Sequence, residues 1–209
     1  MSTIRIVGGV WRRTPIQVPE RPGLRPTPDR VRETLFNWLG QDLAGWRVLD
    51  AFAGSGALGL EAASRGAAEV AMIESDRAAA AAIGRQLERL RGASDAATRE
   101  AAHAVELRRD DILHALPALA AAGRRFDLAL LDPPFGEGWL VRVMPALAPV
   151  LADGARVYVE SGAAIDLDEL AASLPEAGGK LVSLRLGRAG QVHYHLLEYR
   201  PNPRPDPRS

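Results

Sequence analysis

Val48-Leu49-Asp50-Ala51-Phe52-Ala53-Gly54-Ser55-Gly56-Ala57-Leu58-Gly59 decides how the rest of the chain is read. Two apolar residues run into an acid, a glycine-rich turn follows, and helical spacing begins after it. The order is strand, tight turn, helix. Gly54, Gly56 and Gly59 satisfy G-x-G-x-x-G, the spacing that lets backbone approach a ligand at a helix N-terminus. The same glycines would serve a plain tight turn, so the neighbouring residues must decide.

Downstream, strands are expected at 70–73, 105–107, 126–131 and 157–159. Helices are expected at 58–64, 77–90, 112–121, from Trp139 onward, and at 167–174. The alanine-rich residues 92–104 read as an elongated, partly helical connection. Residues 181–186 and 192–199 read as two last strands turning at 187–190. Alternating strands and helices predict a mostly parallel α/β sheet covered on both faces, with ligands at the carboxyl ends of its strands. The final hairpin adds an antiparallel strand.

Upstream, residues 4–7 and 16–18 read as a small β-hairpin around Gly8-Gly9. Pro19, Pro22, Pro26 and Pro28 stiffen the connection. A helix is expected with Thr27 as N-cap, Pro28 at its first position and Asp29 in its first turn. The organisation is a hairpin extension (1–26), one main domain (27–200) and a proline-rich tail (201–209).

Composition narrows the function. The chain of 209 residues is 47% hydrophobic, enough to bury a sizeable core. No apolar run is long enough to span a bilayer, and residues 1–10 lack a signal-peptide core, so the cytoplasm is expected. There are 0 cysteines, which excludes disulfides, thiolate metal sites and cysteine-nucleophile chemistry such as methylation at a pyrimidine carbon. No metal is expected. Net charge is zero, but residues 1–39 hold Arg5, Arg12, Arg13, Arg21, Arg25, Arg30 and Arg32 against Glu20, Asp29 and Glu33, a local balance of +4. Lys180 is the only lysine, so the clustering of arginine, rather than its abundance, points to nucleic acid.

Asp50 separates two readings of the glycine turn. A nicotinamide dinucleotide would bring its pyrophosphate to this helix N-terminus, where a carboxylate repels it. S-adenosylmethionine carries an ammonium and a sulfonium and no phosphate, so an acid suits it. The expected cofactor is S-adenosylmethionine, held by Asp50, Phe52, Ala53, Gly54, Ser55 and Gly56. Glu74 would accept from both ribose hydroxyls and Asp111 from the adenine amine, with Ile112 against the ring. Asp110-Asp111 would also serve as a helix cap. Thr27 and Arg25 are candidates to order the same pocket.

Asp132-Pro133-Pro134-Phe135 follows the most apolar strand. Two prolines remove two backbone donors and stiffen the loop, leaving the Asp132 carboxylate and the Pro133 carbonyl as acceptors. An aryl amine is a weak nucleophile because its lone pair is delocalised. Acceptors on both protons favour a pyramidal nitrogen, and Phe135 can stack on the base. Methyl transfer then depends mainly on positioning. A rigid loop with a solvated acid is the plain alternative.

These residues resemble the bacterial 16S, or small-subunit, ribosomal RNA guanine-N2 methyltransferases. Arg5-Ile6-Val7-Gly8-Gly9-Val10-Trp11-Arg12 resembles the family's opening. Residues 23–39, Gly-Leu-Arg-Pro-Thr-Pro-Asp-Arg-Val-Arg-Glu-Thr-Leu-Phe-Asn-Trp-Leu, resemble its most distinctive segment. Residues 50–62 resemble its cofactor loop and 132–135 its catalytic motif. The resemblance implies a seven-stranded Rossmann-like sheet, one guanine amino group as target, and a protein-bound assembling subunit as substrate; a monomer is expected. Arg12, Arg25, Arg30 and Arg32 are the candidate RNA contacts, each also able to pair with Glu20, Asp29 or Glu33. The target base would be splayed outward to reach the methyl group. Three other functions compete: an adenine-N6 methyltransferase of DNA or RNA, a nicotinamide-dependent oxidoreductase, and a non-catalytic RNA-binding assembly factor. Only 74 residues follow Phe135, little room for a DNA-recognition domain.

Overall fold

The computed structural model describes residues 2–18, 28–135, 138–175 and 179–202. The apolar strand Phe126–Leu131 (β6) has buried residues on both faces and lies mid-sheet, as a run without alternation requires. It pairs in parallel with Arg47–Asp50 (β3) on one side and Leu151–Ser161 (β7) on the other. Beyond β3 lie Glu69–Ile73 (β4) and Val105–Arg108 (β5), also parallel. Beyond β7 comes Val192–Arg200 (β9), antiparallel, and then Lys180–Ala189 (β8) at the edge. The order β5-β4-β3-β6-β7-β9-β8 is the expected mostly parallel α/β sheet of seven strands with one antiparallel strand.

Two apolar layers flank the sheet. One holds Val31, Leu35 and Phe36 of helix Asp29–Leu39 (α1), Leu60 of Ala57–Ser64 (α2), and Ile83 and Leu87 of Arg77–Arg91 (α3). The other holds Ala115 and Leu116 of Ile112–Ala121 (α5), Val143 and Met144 of Trp139–Leu147 (α6), and Leu170 of Leu167–Ala172 (α7). From β3 the chain winds outward through β4 and β5, then returns to β6 on the other side of β3. The carboxyl ends of β3 and β6 therefore meet at the topological switch point, where such sheets bind ligands. Among the described residues no helix is long and apolar enough to cross a membrane.

Several boundaries differ from the sequence reading. Residues 92–104 contain a true helix, Ala96–His103 (α4), capped by Asp95. Only its Ala102 is buried, so it carries little helical periodicity. β7 extends well before residue 157, because Asp153-Gly154 and a register shift near Phe126 break its apolar pattern. The last hairpin turns after Ala189: Gly187 stays in β8 opposite Tyr194, whose ring lies where a Cβ would be. Helix α1 starts one residue later than expected. Pro28 keeps an extended ψ of 146° while its carbonyl accepts from Val31 and Arg32, so it occupies the cap position. Thr27 lies outside the described residues.

The N-terminal hairpin pairs Ser2–Arg5 (β1) with Pro15–Val18 (β2). Val7, expected in its first strand, leaves the hairpin because the Val7 and Gly8 amides go instead to Glu61 of α2, while Ile6, outside the regular ladder, still bonds across to Thr14 and Arg13.

Candidate active site

The turn after β3 is built as the glycines demand. Gly54 and Gly56 have φ of 54° and 82°, values that an L side chain rarely adopts. At Gly59 a Cβ would lie 2.8 Å from the Asp50 carboxylate. Gly59 instead donates its N–H to Asp50 Oδ2 at 2.9 Å. Asp50 is 1% exposed, turned beneath the loop. Burial, and secondarily the neighbouring charge of Glu74, pushes its carboxyl up to about 7, against the pull of the Gly59 and Phe52 amides. The negative charge that the sequence places under the loop is therefore partly discharged at neutral pH.

Glu74, at the end of β4, reaches across the same crevice. Its Oε2 accepts from Gly54 N at 2.6 Å and its Oε1 from Asp76 N at 2.6 Å. It thereby clamps the glycine turn to the neighbouring strand. After β5, Asp111 caps α5 by accepting from Leu113 N. Asp110 pairs with His114, whose hydrogen bond holds the Asp110 carboxyl below its ordinary range. Ile112, expected against a ring, is buried in the apolar layer below. Phe52 stands edge-on to Trp139 with centroids 5.6 Å apart. Trp139 was not anticipated at the site, since no motif marks it. Ala53 and Ser55 are buried within the turn.

The loop after β6 lies beside this turn. Asp132 is half-buried and Pro133 buried, while Pro134 and Phe135 are exposed. Phe135 is 48% exposed, yet its ring rests where a Cβ on Gly162 would be, so the aromatic face is held in place from behind. A cleft of about 150 Å³ opens here, lined by Pro133, Pro134, Phe135, Trp139, Glu160 and Ser161 among others.

Five carboxylates, Asp50, Glu74, Asp110, Asp111 and Asp132, thus stand along one sheet edge around a glycine cradle. That donor set fits a cofactor rich in hydroxyls and amines and bearing positive charge. It does not fit a pyrophosphate. Among the described residues no cluster of His, Asp and Glu could hold a metal ion.

The same architecture recurs in known proteins. The family described as Conserved hypothetical protein 95 matches residues 4–198. Ribosomal RNA small subunit methyltransferase D of Escherichia coli K12 is 40% identical over 197 residues, covering 93% of this chain and 89% of that protein. The protein of the same description from Haemophilus influenzae is 37% identical over 160 residues, covering 76% of this chain and 78% of its own. The chain belongs to this family of small-subunit ribosomal RNA methyltransferases. A solved Escherichia coli structure, a methyltransferase by description, superposes with a TM-score of 0.74 at 37% identity over 96% of this chain and 100% of that one. The seven-stranded sheet is thus the S-adenosylmethionine-dependent methyltransferase fold.

The structure docks the N-terminal hairpin on α2 and corrects one residue of the sequence reading. Arg32 was expected on the RNA. It is fully buried, pairing with Asp29 and with Glu61 at 3.3 Å and donating to the Arg5 carbonyl at 2.8 Å. The cause is Glu61, itself 0% exposed, which also accepts from Val7 N, Gly8 N and Arg65. A buried carboxylate with so many donors needs the guanidinium more than solvent does. Ser64 completes the dock: its Oγ donates to the Gly8 carbonyl and accepts from Trp11 N. Sequence reasoning missed Glu61, Ser64 and Arg65. The available signal was a short helix, buried all round, that nevertheless carries Glu and Arg four apart. Arg12 and Arg30 are exposed, and Arg25 lies outside the described residues.

Proposed function

We propose that this protein transfers a methyl group from S-adenosylmethionine to the exocyclic N2 amine of a guanine in small-subunit ribosomal RNA, acting as a cytoplasmic monomer on a protein-bound assembly intermediate. One observation carries the reading. The Asp132-Pro133 loop, which offers acceptors and no donors, stands at the switch point next to a glycine cradle rimmed by carboxylates. The names of the relatives support ribosomal RNA as the substrate class.

When bound, S-adenosylmethionine supplies an electrophilic methyl group on a sulfonium. The protein's residues do the rest. Glu74 holds the ribose hydroxyls while bracing Gly54. Asp111 accepts from the adenine amine, with Ile112 supporting the ring from below. Asp50, Phe52, Ala53, Ser55 and Gly56 shape the turn so that its backbone meets the amino-acid end, and the buried Asp50 charge favours the ammonium there. Phe135 stacks on the target base. Asp132 and the Pro133 carbonyl accept the two amine protons, which localises the nitrogen lone pair toward the methyl group. A strong base is unnecessary, because the proton becomes acidic only as positive charge develops on nitrogen. Pro134 keeps the loop stiff. Arg12 and Arg30 contact phosphates; Arg25 and Thr27 keep their proposed roles on sequence grounds.

The test is to incubate the protein with radiolabelled S-adenosylmethionine and small subunits lacking the modification, digest the RNA and identify the labelled nucleoside. Label in N2-methylguanosine is expected. Label in N6-methyladenosine would overturn the base assignment, and no label in any RNA would overturn the substrate class.

A further inference from the structure

Glu160 is a buried acid that the mechanism above does not use. It is 2% exposed, at the carboxyl end of β7, and its Oε1 accepts from the Tyr158 hydroxyl at 2.8 Å. Its place in the sheet ties it to the catalytic loop. β6 and β7 run parallel with Leu130 opposite Tyr158 and Leu131 opposite Val159. One more step sets Asp132 opposite Glu160. Alternation along strands puts both on the face shared by Leu130 and Tyr158, so two carboxylates stand side by side where the strands end. The Tyr158 hydroxyl reports both: burial raises it well above the ordinary phenol range, and the charges of Glu160 and Asp132 add to the rise. Glu160 also lines the cleft beside Pro133 and Phe135.

One amine needs only the acceptors already at Asp132 and Pro133. A second carboxylate in the cleft lining, already accepting from the Tyr158 hydroxyl, offers an acceptor to a second donor on the same base. On its Watson–Crick edge, guanine presents a ring N1–H next to its N2 amine, two donors in a row. Adenine presents an amine next to a bare N1 acceptor. A carboxylate accepts hydrogen bonds and donates none. We infer that Glu160 reads guanine: its carboxylate accepts the ring N1–H while Asp132 and Pro133 hold the adjacent amine. This rests on the proposed guanine-N2 activity and supplies what the Asp-Pro-Pro-Phe loop lacks, since that loop serves either amine. Adenine would set its N1 lone pair against the acceptor oxygen of Glu160, an arrangement with no compensating bond. Tyr158 is the positioning residue that fixes the Glu160 carboxylate.

The probe is 2-aminopurine, which keeps the N2 amine but has an acceptor at N1. Small subunits are reconstituted with guanosine or 2-aminopurine at the nucleotide that the wild-type protein labels. Wild type should prefer guanosine by about 100-fold or more in kcat/KM, as a site built around a donor rejects an analogue lacking it. Glu160→Gln, whose amide can donate to N1, should lose guanosine activity by at least about tenfold and prefer 2-aminopurine or treat the two alike. Tyr158→Phe, which keeps both carboxylates, should narrow the preference partway. It carries the test if Glu160→Gln does not bind S-adenosylhomocysteine as wild type does. Unchanged guanosine preference in these variants, or equal loss on both bases, would overturn the role of Glu160. Wild-type label on adenine would instead overturn the functional reading beneath it.

Discussion

The carboxyl edge of the sheet and the dock of the N-terminal hairpin are both built on carboxylates, and they use them in opposite ways. At the edge, Glu74 accepts from backbone amides of its own loops, and Asp50 lies under the glycine turn with burial raising its carboxyl to about 7. In the dock, Glu61 is enclosed by the guanidiniums of Arg32 and Arg65 and two amides of the hairpin. One region sets acids against backbone amides around a glycine turn, the other encloses an acid between guanidiniums. The edge is arranged to receive something bearing positive charge and hydroxyls; the dock is complete and holds two parts of the chain together. It also joins them to some purpose, because α2, which carries Glu61, begins where the cofactor turn ends.

The comparison breaks most visibly at Glu61. Glu61→Ala would remove the buried carboxylate that two guanidiniums and two hairpin amides share and should destabilise the protein by about 3–5 kcal/mol, read from urea unfolding. A loss below about 1 kcal/mol would mean that the dock is an ordinary surface pairing. Next is Glu74→Gln, which turns one acceptor into a donor facing a backbone N–H. Affinity for S-adenosylhomocysteine should fall by about 10–100-fold in calorimetric titration, and the melting temperature should fall with the loosened Gly54 clamp. Unaltered affinity would remove Glu74 from the cofactor site.

Asp50 sharpens the contrast through pH. Its folded carboxyl sits near 7, against an ordinary value of 3.8. Between those values the folded state holds a proton that the unfolded chain has released. This group therefore makes stability fall as pH rises from about 4 to 7, and Asp50→Asn should flatten that slope in thermal melts. A cationic cofactor should pull the carboxyl back down, so binding near pH 7 should release a proton, seen as a binding enthalpy that depends on the buffer. Proton uptake would contradict a cation near Asp50. The smallest effect is at Arg12. Arg12→Ala should weaken subunit binding a few-fold and reduce the salt dependence by about one unit, whereas an unchanged salt slope would take Arg12 off the RNA.

The two regions also differ in how much the sequence betrayed. The edge was legible because its parts are contiguous: the 50–59 turn, Glu74 at the next strand end and Asp132 to Phe135 are short motifs at strand ends. The strand–helix order was legible for the same reason. The dock was not, because Arg32, Glu61 and Arg65 sit on two helices and meet the hairpin only through packing. Gly8 and Gly9 were visible as a turn, but their cause was hidden: a Cβ on Gly9 would lie 1.8 Å from the Ser64 carbonyl, and one on Gly8 would meet Arg65. Helix α4 was legible only as a partly helical connection, because alanines bury too little to leave a pattern, though Asp95 marks its start.

The most direct test of the account is single-turnover methyl transfer by Asp132→Ala, with small subunits and S-adenosylmethionine both saturating. The account places Asp132 on the reacting amine, where its contribution is made mainly in the transition state. It predicts a rate at least about 100-fold below wild type, with S-adenosylhomocysteine and subunit affinities within about twofold. A rate near wild type under saturation would contradict it.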